Sequence, residues 1–520
     1  NFFIYKDKII IVRQIPLKSH IIRFSIKHIP LVRNKFKESI KQIQDSYSKV
    51  LDAVTTNKCF KLPNRGIKLN QIKKRLVEWV ERDEKLSGTG QISGSRYLDD
   101  IKFENQVKEF SSKNIRKIQI QKSIFLKIED FSYHNCQYND FSPSVRQMEA
   151  ELIKITCSLF GSDDGYGIMT GGGTESLLLS VLAHRNYALK YKNITKPNLI
   201  IPVTAHPGVV KACKYFNVEC IKLPVDENDQ ISLNQLQKTI NKNTIMLLGS
   251  FPNFPHGNID PIQEMAQIAK QKDIGMHVDC CLGGFVAAFA KDSGLQLPPF
   301  DFTVEGVTSI SCDHHKYGLT PKGVSIIMFK NNLLRQFCYT SVSDWPGGLY
   351  AVPSISGYRT GTQISGAWYV MMVTGKEGYI NNSKHIWQAV QDIVNYIKTT
   401  PELQELDVIG NPQICAIGII YKAGTGRNIY HLEGAMSKKG WHLSGGQLPP
   451  AIQISINNGI ANRTKQFCKD LKKSVIEVQE NPDQFKNSSS ASMYGASVKV
   501  PDQNLLEFVL DIVVDCFLKL

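Results

Sequence analysis

From residue 145 to residue 329, short apolar runs alternate with segments of helical periodicity, and this constrains the fold more than any other feature of the chain. Segment 145–160 places Val145, Met148, Leu152, Ile155 and Leu159 at three- and four-residue steps, the mark of one buried helical face. The runs NLIIPV (198–203), CIKLPV (220–225), TIMLLGS (244–250), GMHVD (275–279), VTSISCD (307–313) and GVSIIMF (323–329) have the length of strands. Helical patterns near 207–216 and 233–240 lie between them, and Asp260-Pro261 with Gln263 three residues after the aspartate reads as a further helix start. Strands interleaved with helices predict an α/β domain with a mainly parallel sheet, whose functional groups lie in the loops at the carboxyl ends of the strands.

The flanks differ. Phe36, Ile40, Ile43, Tyr47 and Val50 form a single apolar seam on a helix over about 32–54, suited to packing between subunits or domains. Residues 102–130 are rich in Lys and Gln and read as an insertion. Beyond Gly375 longer helices and isolated strands predict a smaller α+β domain. It contains the polar loop NSSSAS (487–492) and a closing amphipathic helix with Glu507, Asp511, Asp515 and Lys519 opposite Leu505, Val509, Val513 and Phe517. Three regions result: an N-terminal helical segment (1–130), a large α/β domain (131–375) and a small C-terminal domain (376–520).

The formal net charge is +15, and eleven Lys or Arg against three acids place +8 of it in residues 1–50. Such an arm attracts either phosphate-bearing partners or the anionic cytoplasmic face of a membrane. No run reaches the roughly 18 uninterrupted apolar residues of a bilayer span. The chain opens with Asn1 rather than Met, so the sequence leaves an upstream anchor open. The twelve cysteines lie without C-x-x-C or metal-type spacing, which predicts reduced thiols, a cytosol-facing compartment and no metal site.

Three motifs carry chemistry. GIMTGGGTESLLL (167–179) sets three glycines between an apolar run and a helix, a turn that brings backbone N–H groups onto a phosphate, although it has neither a Walker lysine nor a dinucleotide fingerprint. HVDCCLGGF (277–285) puts Asp279 at a strand end, and SISCDHHKYGLTPKG (309–323) puts Lys316 just beyond another. A phosphate cradle, an acid to keep a pyridine nitrogen protonated and an amine to form a Schiff base are the parts pyridoxal phosphate demands.

Together with TAHPGVVKACKYF (204–216) and GSFPNFPHGNID (249–260), these motifs resemble the fold-type-I pyridoxal-phosphate lyases and decarboxylases, and within them the sphingosine-1-phosphate lyases. QISGSRY, MEAE, DWPGGLYAVPSISGYRTG and MYG extend the resemblance over about 85–520. HKYG with Lys322 six residues after Lys316 points to the lyases rather than to glutamate or aromatic decarboxylases. The resemblance implies that residues 131–375 hold pyridoxal 5'-phosphate. Lys316 would carry it covalently, Asp279 would face the ring nitrogen, and His206 would stack on the ring, while Gly173, Thr174 and His315 would hold the phosphate. The loop around Gly361 would reach the neighbouring subunit's site in a homodimer. Tyr97 and Lys322 would meet the substrate, Tyr97 moving a proton. His277 is expected behind Asp279 rather than on the cofactor.

The implied reaction cleaves a phosphorylated sphingoid base such as sphingosine 1-phosphate at C2–C3 to a long-chain aldehyde and phosphoethanolamine. The basic arm would then serve a membrane surface, at the cytosolic face of the endoplasmic reticulum. The chain departs from the family pattern at Gly171, where a serine is usual, and at Cys280 and Cys312, which replace alanines. In NCQYNDFSP, Tyr138 stands where a phosphate-binding histidine is expected, with Asn135, Asp140 and Pro143 kept. Two rivals remain, an amino-acid decarboxylase and a basic interaction protein on a degenerate scaffold. The arm lacks the aromatic interleaving of single-strand binders, so nucleic acid is not an expected partner.

Overall fold

The computed structural model describes residues 2–5, 8–11, 28–54, 58–87, 131–132, 142–485 and 503–518. A hairpin of β1 (Phe2–Tyr5) and β2 (Lys8–Ile11) comes first, then helices α1 (Pro30–Val54) and α2 (Leu69–Ser87). The seam read over 32–54 falls on α1. Tyr97, Asn135, Tyr138, Asp140, the 102–130 insertion, NSSSAS and MYG lie outside the described residues.

Seven strands form the large sheet: β3 (Gly167–Thr170), β4 (Asn198–Pro202), β5 (Glu219–Leu223), β6 (Thr244–Ser250), β7 (Gly275–Asp279), β8 (Ser309–Asp313) and β9 (Ser325–Phe329). Their order is β3-β9-β8-β7-β6-β4-β5. Strands β4 to β8 run parallel, and β9 is inserted antiparallel between β8 and β3. Every residue of β4, β6, β7, β8 and β9 is buried, so apolar residues run without alternation through the middle of β4, β6 and β9, while β7 and β8 also bury polar side chains.

Helices α3 (Pro143–Leu159), α4 (Gly173–Lys192), α5 (Gly208–Phe216), α6 (Leu233–Thr239) and α7 (Ile262–Gln271) occupy the segments where helical periodicity was read. The start read at Asp260-Pro261 is the start of α7. Asp260 does not cap α7: the residue before the helix is Pro261, and the Asp260 carboxylate turns back to accept the Ser250 N–H at 2.7 Å. Burial raises this carboxyl to about 7.

A second, antiparallel sheet follows, β12 (Leu406–Val408), β13 (Ala416–Tyr421), β15 (Pro450–Ser455) and β14 (Ser444–Gln447) in that spatial order, after a hairpin of β10 (Thr340–Trp345) and β11 (Gly348–Val352). Helix α8 (Gly361–Thr399) links the two sheets, and α9 (Ile429–Lys438) packs on β15 and on α10 (Thr464–Glu480). Buried side chains from both sheets belong to one continuous apolar cluster. Helix α11 (Gln503–Leu518) closes the chain, with Val509 and Val513 exposed. No helix among the described residues is long and apolar enough to cross a membrane.

The boundary read at Gly375 falls inside a helix, at a kink. Gly375 sits inside α8 at φ +60°, a conformation open to glycine. The helix hydrogen bonds freed there go to segment 63–67, which crosses the helix. Ile67 N–H donates to Met372 at 2.9 Å, while Lys376 and Glu377 donate to Pro63 and Asn64 at 2.7 and 2.9 Å. A Cβ on Gly66 would lie 1.8 Å from the Val373 carbonyl oxygen, so the crossing needs glycine on both sides.

Glu151, in the MEAE stretch, ties this frame together from the middle of α3. Its fully buried carboxylate accepts from Trp368 Nε1 (2.7 Å), Gln147 Nε2 (2.8 Å), the Cys59 N–H (2.9 Å) and Arg75 Nη2 (3.2 Å). It thus joins α2, α3 and α8, where Trp79 and Trp368 meet with ring centroids 5.1 Å apart.

Three histidines are buried behind the sheet. His184 Nδ1–H donates to the Ser180 carbonyl at 2.8 Å, and a Cβ on Gly275 would lie 2.2 Å from its ring. His277 bonds Ser309 and Ser311, and His314 bonds Thr156. Burial lowers them to about 4, 3 and 3. Folded-state values below the unfolded one mean stability that is present above pH 6.5 and lost as pH falls toward 4. We predict that denaturant melts across this window show a loss of about 1.4 kcal/mol per pH unit for each histidine. His184→Gln should lower the slope by about 1.4 kcal/mol per pH unit, while Asp260, raised by burial, acts in the opposite sense over the same window.

Candidate active site

The carboxyl ends of β3, β7 and β8 open onto one cavity of about 530 Å³. Asp279 is the last residue of β7 and is 5% exposed. Its Oδ1 accepts the Cys281 N–H at 3.0 Å and the Ser311 hydroxyl at 3.3 Å. Burial opposes the charge, but His277, the Cys281 N–H and His206 outweigh it, so this carboxyl titrates below its ordinary range. His277 stands behind the aspartate, as expected. Its Nε2 lies 3.1 Å from the Ser311 hydroxyl, which itself reaches Asp279.

Lys316 follows β8 and points into the same cavity, with Nζ 3.0 Å from Asp313 Oδ2. His315 Nε2 lies 3.4 Å from the same oxygen. Burial pulls the Lys316 ammonium down, and Asp313 foremost, with Asp279, pushes it up to a net value above that of an ordinary lysine. His315 is lowered, first by burial, against Asp313, with Lys322 and Lys316 adding to the fall. Cys281 lines the cavity, but burial and the two aspartates raise it far above an ordinary thiol, so it stays protonated.

The glycine loop forms the facing wall. Gly173 starts α4, and a Cβ there would meet both Asp313 carboxylate oxygens at 2.8 and 2.9 Å and Cys281 Sγ at 2.9 Å. Only glycine lets the loop come this close. The first N–H groups of a helix have no intrahelical acceptor, so the start of α4 offers Gly172, Gly173 and Thr174 to an anion. At Gly171, where a serine is usual, a Cβ would meet only Glu175 Oε2 at 3.4 Å. His206, after β4, borders the cavity, its Nδ1 accepting the Gly208 N–H at 3.0 Å.

Lys316, Asp279, His206, Gly173, Thr174 and His315 are therefore brought together. Lys322 is exposed on the following loop, outside the cavity wall but within electrostatic reach of His315. Gly361 heads α8 and does not line this cavity. The neighbouring Thr360 faces a smaller one of about 230 Å³ with Gly171 and Gly323.

Sequence reasoning missed Asp313 and Glu175. Asp313 ends its strand as Asp279 does, and that shared position was the available signal. Glu175 Oε2 accepts the Gly171 N–H at 2.7 Å, and its Oε1 accepts the N–H groups of Ile355 and Ser356 at 3.1 and 3.3 Å. It thereby joins the glycine loop to segment 354–359, which borders the cavity and is anchored by the Arg359–Glu149 ion pair.

A lysine beyond one strand, a buried carboxylate ending the next and a glycine-lined helix start define a pyridoxal-phosphate enzyme of fold type I. The family model for the pyridoxal-dependent decarboxylase conserved domain matches residues 135–418. A sphingosine-1-phosphate lyase of Arabidopsis thaliana is 36% identical over 491 residues, covering 93% of this chain and 86% of that protein. One of Oryza sativa subsp. japonica is 42% identical over 386 residues, covering 73% and 70%. The solved sphingosine-1-phosphate lyase of Burkholderia pseudomallei superposes with a TM-score of 0.66 at 29% identity, over 88% of this chain and 97% of that one. The chain belongs to the sphingosine-1-phosphate lyase family and is a pyridoxal-phosphate-dependent lyase.

Gly173→Ala drives a methyl group into the Asp313–Cys281 wall. It is expected to weaken cofactor affinity by about tenfold or more, equivalent to about 1.4 kcal/mol, in a fluorescence titration with pyridoxal phosphate.

Proposed function

We propose that the chain cleaves phosphorylated sphingoid bases such as sphingosine 1-phosphate between C2 and C3, releasing a long-chain aldehyde and phosphoethanolamine. The observation that carries this reading is the convergence of Lys316, Asp279, His206 and the glycine loop on one cavity in a chain of this family. When bound, pyridoxal phosphate supplies an electron sink for the pair released as the carbon–carbon bond breaks. Lys316 is the amine that would carry the cofactor and give way to the substrate amine. Asp279, held anionic by its donors, would keep the ring nitrogen protonated. His206 would pack against the ring. Gly173, Thr174 and His315 would take the cofactor phosphate at the start of α4.

Lys322, exposed on the loop after Lys316 and within electrostatic reach of His315, is suited to the substrate's own phosphate. Tyr97 is assigned to proton transfer by the family motif alone. A decarboxylase would need a group for an α-carboxylate in place of this entrance, and the relatives at 32–42% identity carry the lyase name.

We further propose that the enzyme works as a homodimer at the cytosolic face of the endoplasmic reticulum, with the loop around Gly361 reaching the second site. The exposed side chains of Trp345, Leu349, Tyr350, Ile355 and Tyr358 support the dimer, since an apolar patch of this kind beside a cavity is commonly covered. The +8 arm of residues 1–50 supports membrane attachment.

Incubation with sphingosine 1-phosphate and pyridoxal phosphate should yield a fatty aldehyde and phosphoethanolamine by mass spectrometry; carbon dioxide from glutamate or an aromatic amino acid instead would replace the lyase reading. Lys316→Ala should abolish product, and Asp279→Ala should cut turnover by at least about 10²-fold, the size typical of a lost electrostatic contact at a reacting centre. Sedimentation with anionic vesicles should fall with added salt and disappear when residues 1–50 are deleted.

A further inference from the structure

We propose that Asp313 is a positioning residue that holds the Lys316 nitrogen as an ammonium ion whenever that nitrogen is not joined to the cofactor, and so governs how readily the chain takes up pyridoxal phosphate. The inference rests on the reading of Lys316 as the cofactor-bearing lysine.

Asp313 ends β8 with 3% exposure. Its Oδ2 faces Lys316 Nζ at 3.0 Å and His315 Nε2 at 3.4 Å. The Val324 N–H donates to His315 Nδ1 at 3.1 Å, so a neutral His315 carries its proton on Nε2, the nitrogen turned toward Asp313. Oδ2 thus collects two donors. Oδ1 is buried with no hydrogen-bond partner among the described residues, and it lies against Gly173, where a Cβ would come within 2.8 Å.

The carboxylate is caught between a strand end and the glycine loop and has no room to follow the lysine. A buried anion with one unsatisfied oxygen depends heavily on its remaining cation, because removing that partner leaves an uncompensated charge in a low-dielectric site. The other titratable groups facing the pair are Asp279 at the end of β7, Cys281 beyond it, Cys312 and His315 on its own segment, Lys322 on the next loop and Cys415 before β13. Among those that raise the Lys316 ammonium, Asp313 ranks first.

Uptake joins the Lys316 nitrogen to the aldehyde carbon of the cofactor and releases one water. The attacking nitrogen needs its lone pair, so the ammonium must first give a proton to a solvent base. Each pH unit by which the ion pair stabilises the ammonium lowers the reactive fraction about tenfold at a fixed pH.

The test uses the full chain freed of cofactor and mixed with pyridoxal 5'-phosphate between pH 6.5 and 9.5. Uptake is followed by absorbance, and attachment at Lys316 is verified by borohydride reduction and peptide mass. Asp313→Asn is expected to load about tenfold faster or more at pH 7, with its profile displaced to lower pH by about one unit or more. Asp313→Glu, which keeps the charge, should follow the wild-type profile. Should the Asn variant fail to fold by circular dichroism, Asp313→Ser, small enough for the space beside Gly173, is read by the same criterion. Neutral variants that load at the wild-type rate, or more slowly, overturn the role of Asp313 while leaving the cofactor reading intact. A wild-type chain that takes up no cofactor, or takes it up at another lysine, overturns the cofactor reading and this inference with it.

Discussion

Two carboxylates, Asp279 and Asp313, are buried at the ends of neighbouring strands, and the site is organised around that constraint. Taking such a group out of water costs several kcal/mol unless donors converge on it. For Asp279 the donors are the Cys281 N–H and the Ser311 hydroxyl, the latter on β8 directly opposite it in register. For Asp313 they are Lys316 and His315. The one anion is supplied with neutral donors and the other with a cation. This lets Asp279 await a protonated ring nitrogen while Asp313 occupies the amine.

Close approach of backbones makes the arrangement possible. Gly173 lets the start of α4 lie against Asp313, and Gly284 leaves room for Cys312, since a Cβ there would lie 2.6 Å from its sulfur. Glu175 fastens the same loop to segment 354–359, whose Arg359 is in turn paired with Glu149 on α3. The helix that bears Glu149 also bears Glu151, whose buried carboxylate ties α2 and α8 into the frame. Two acids two residues apart on one helix thus serve the cavity wall and the scaffold behind it.

Much of this was legible in the residues themselves. The runs from NLIIPV to GVSIIMF became strands, and the helices between them formed where the periodicity placed them. Asp279 and Lys316 were found because residues at strand ends in a parallel sheet face its functional edge. Asp260-Pro261 did mark a helix start, but a helix-start pattern reports only neighbours along the chain, and the Asp260 carboxylate is engaged across the turn by Ser250. Gly375 read as a boundary, and the structure adds that the helix continues beyond it while segment 63–67 takes up the broken hydrogen bonds.

Local physics therefore determined the alternation of elements, the mainly parallel sheet, the strand end that bears Asp279 and the turn beyond a strand that bears Lys316, since side-chain period and turn chemistry act over a few residues. Tertiary structure alone decided which groups meet from afar. Glu151 and Trp368 are 217 residues apart in sequence, and Glu175 and Ile355 are 180. Contacts of that separation leave no periodic trace in the chain, because they exist only once the backbone has folded and desolvation forces each buried polar group to find a partner.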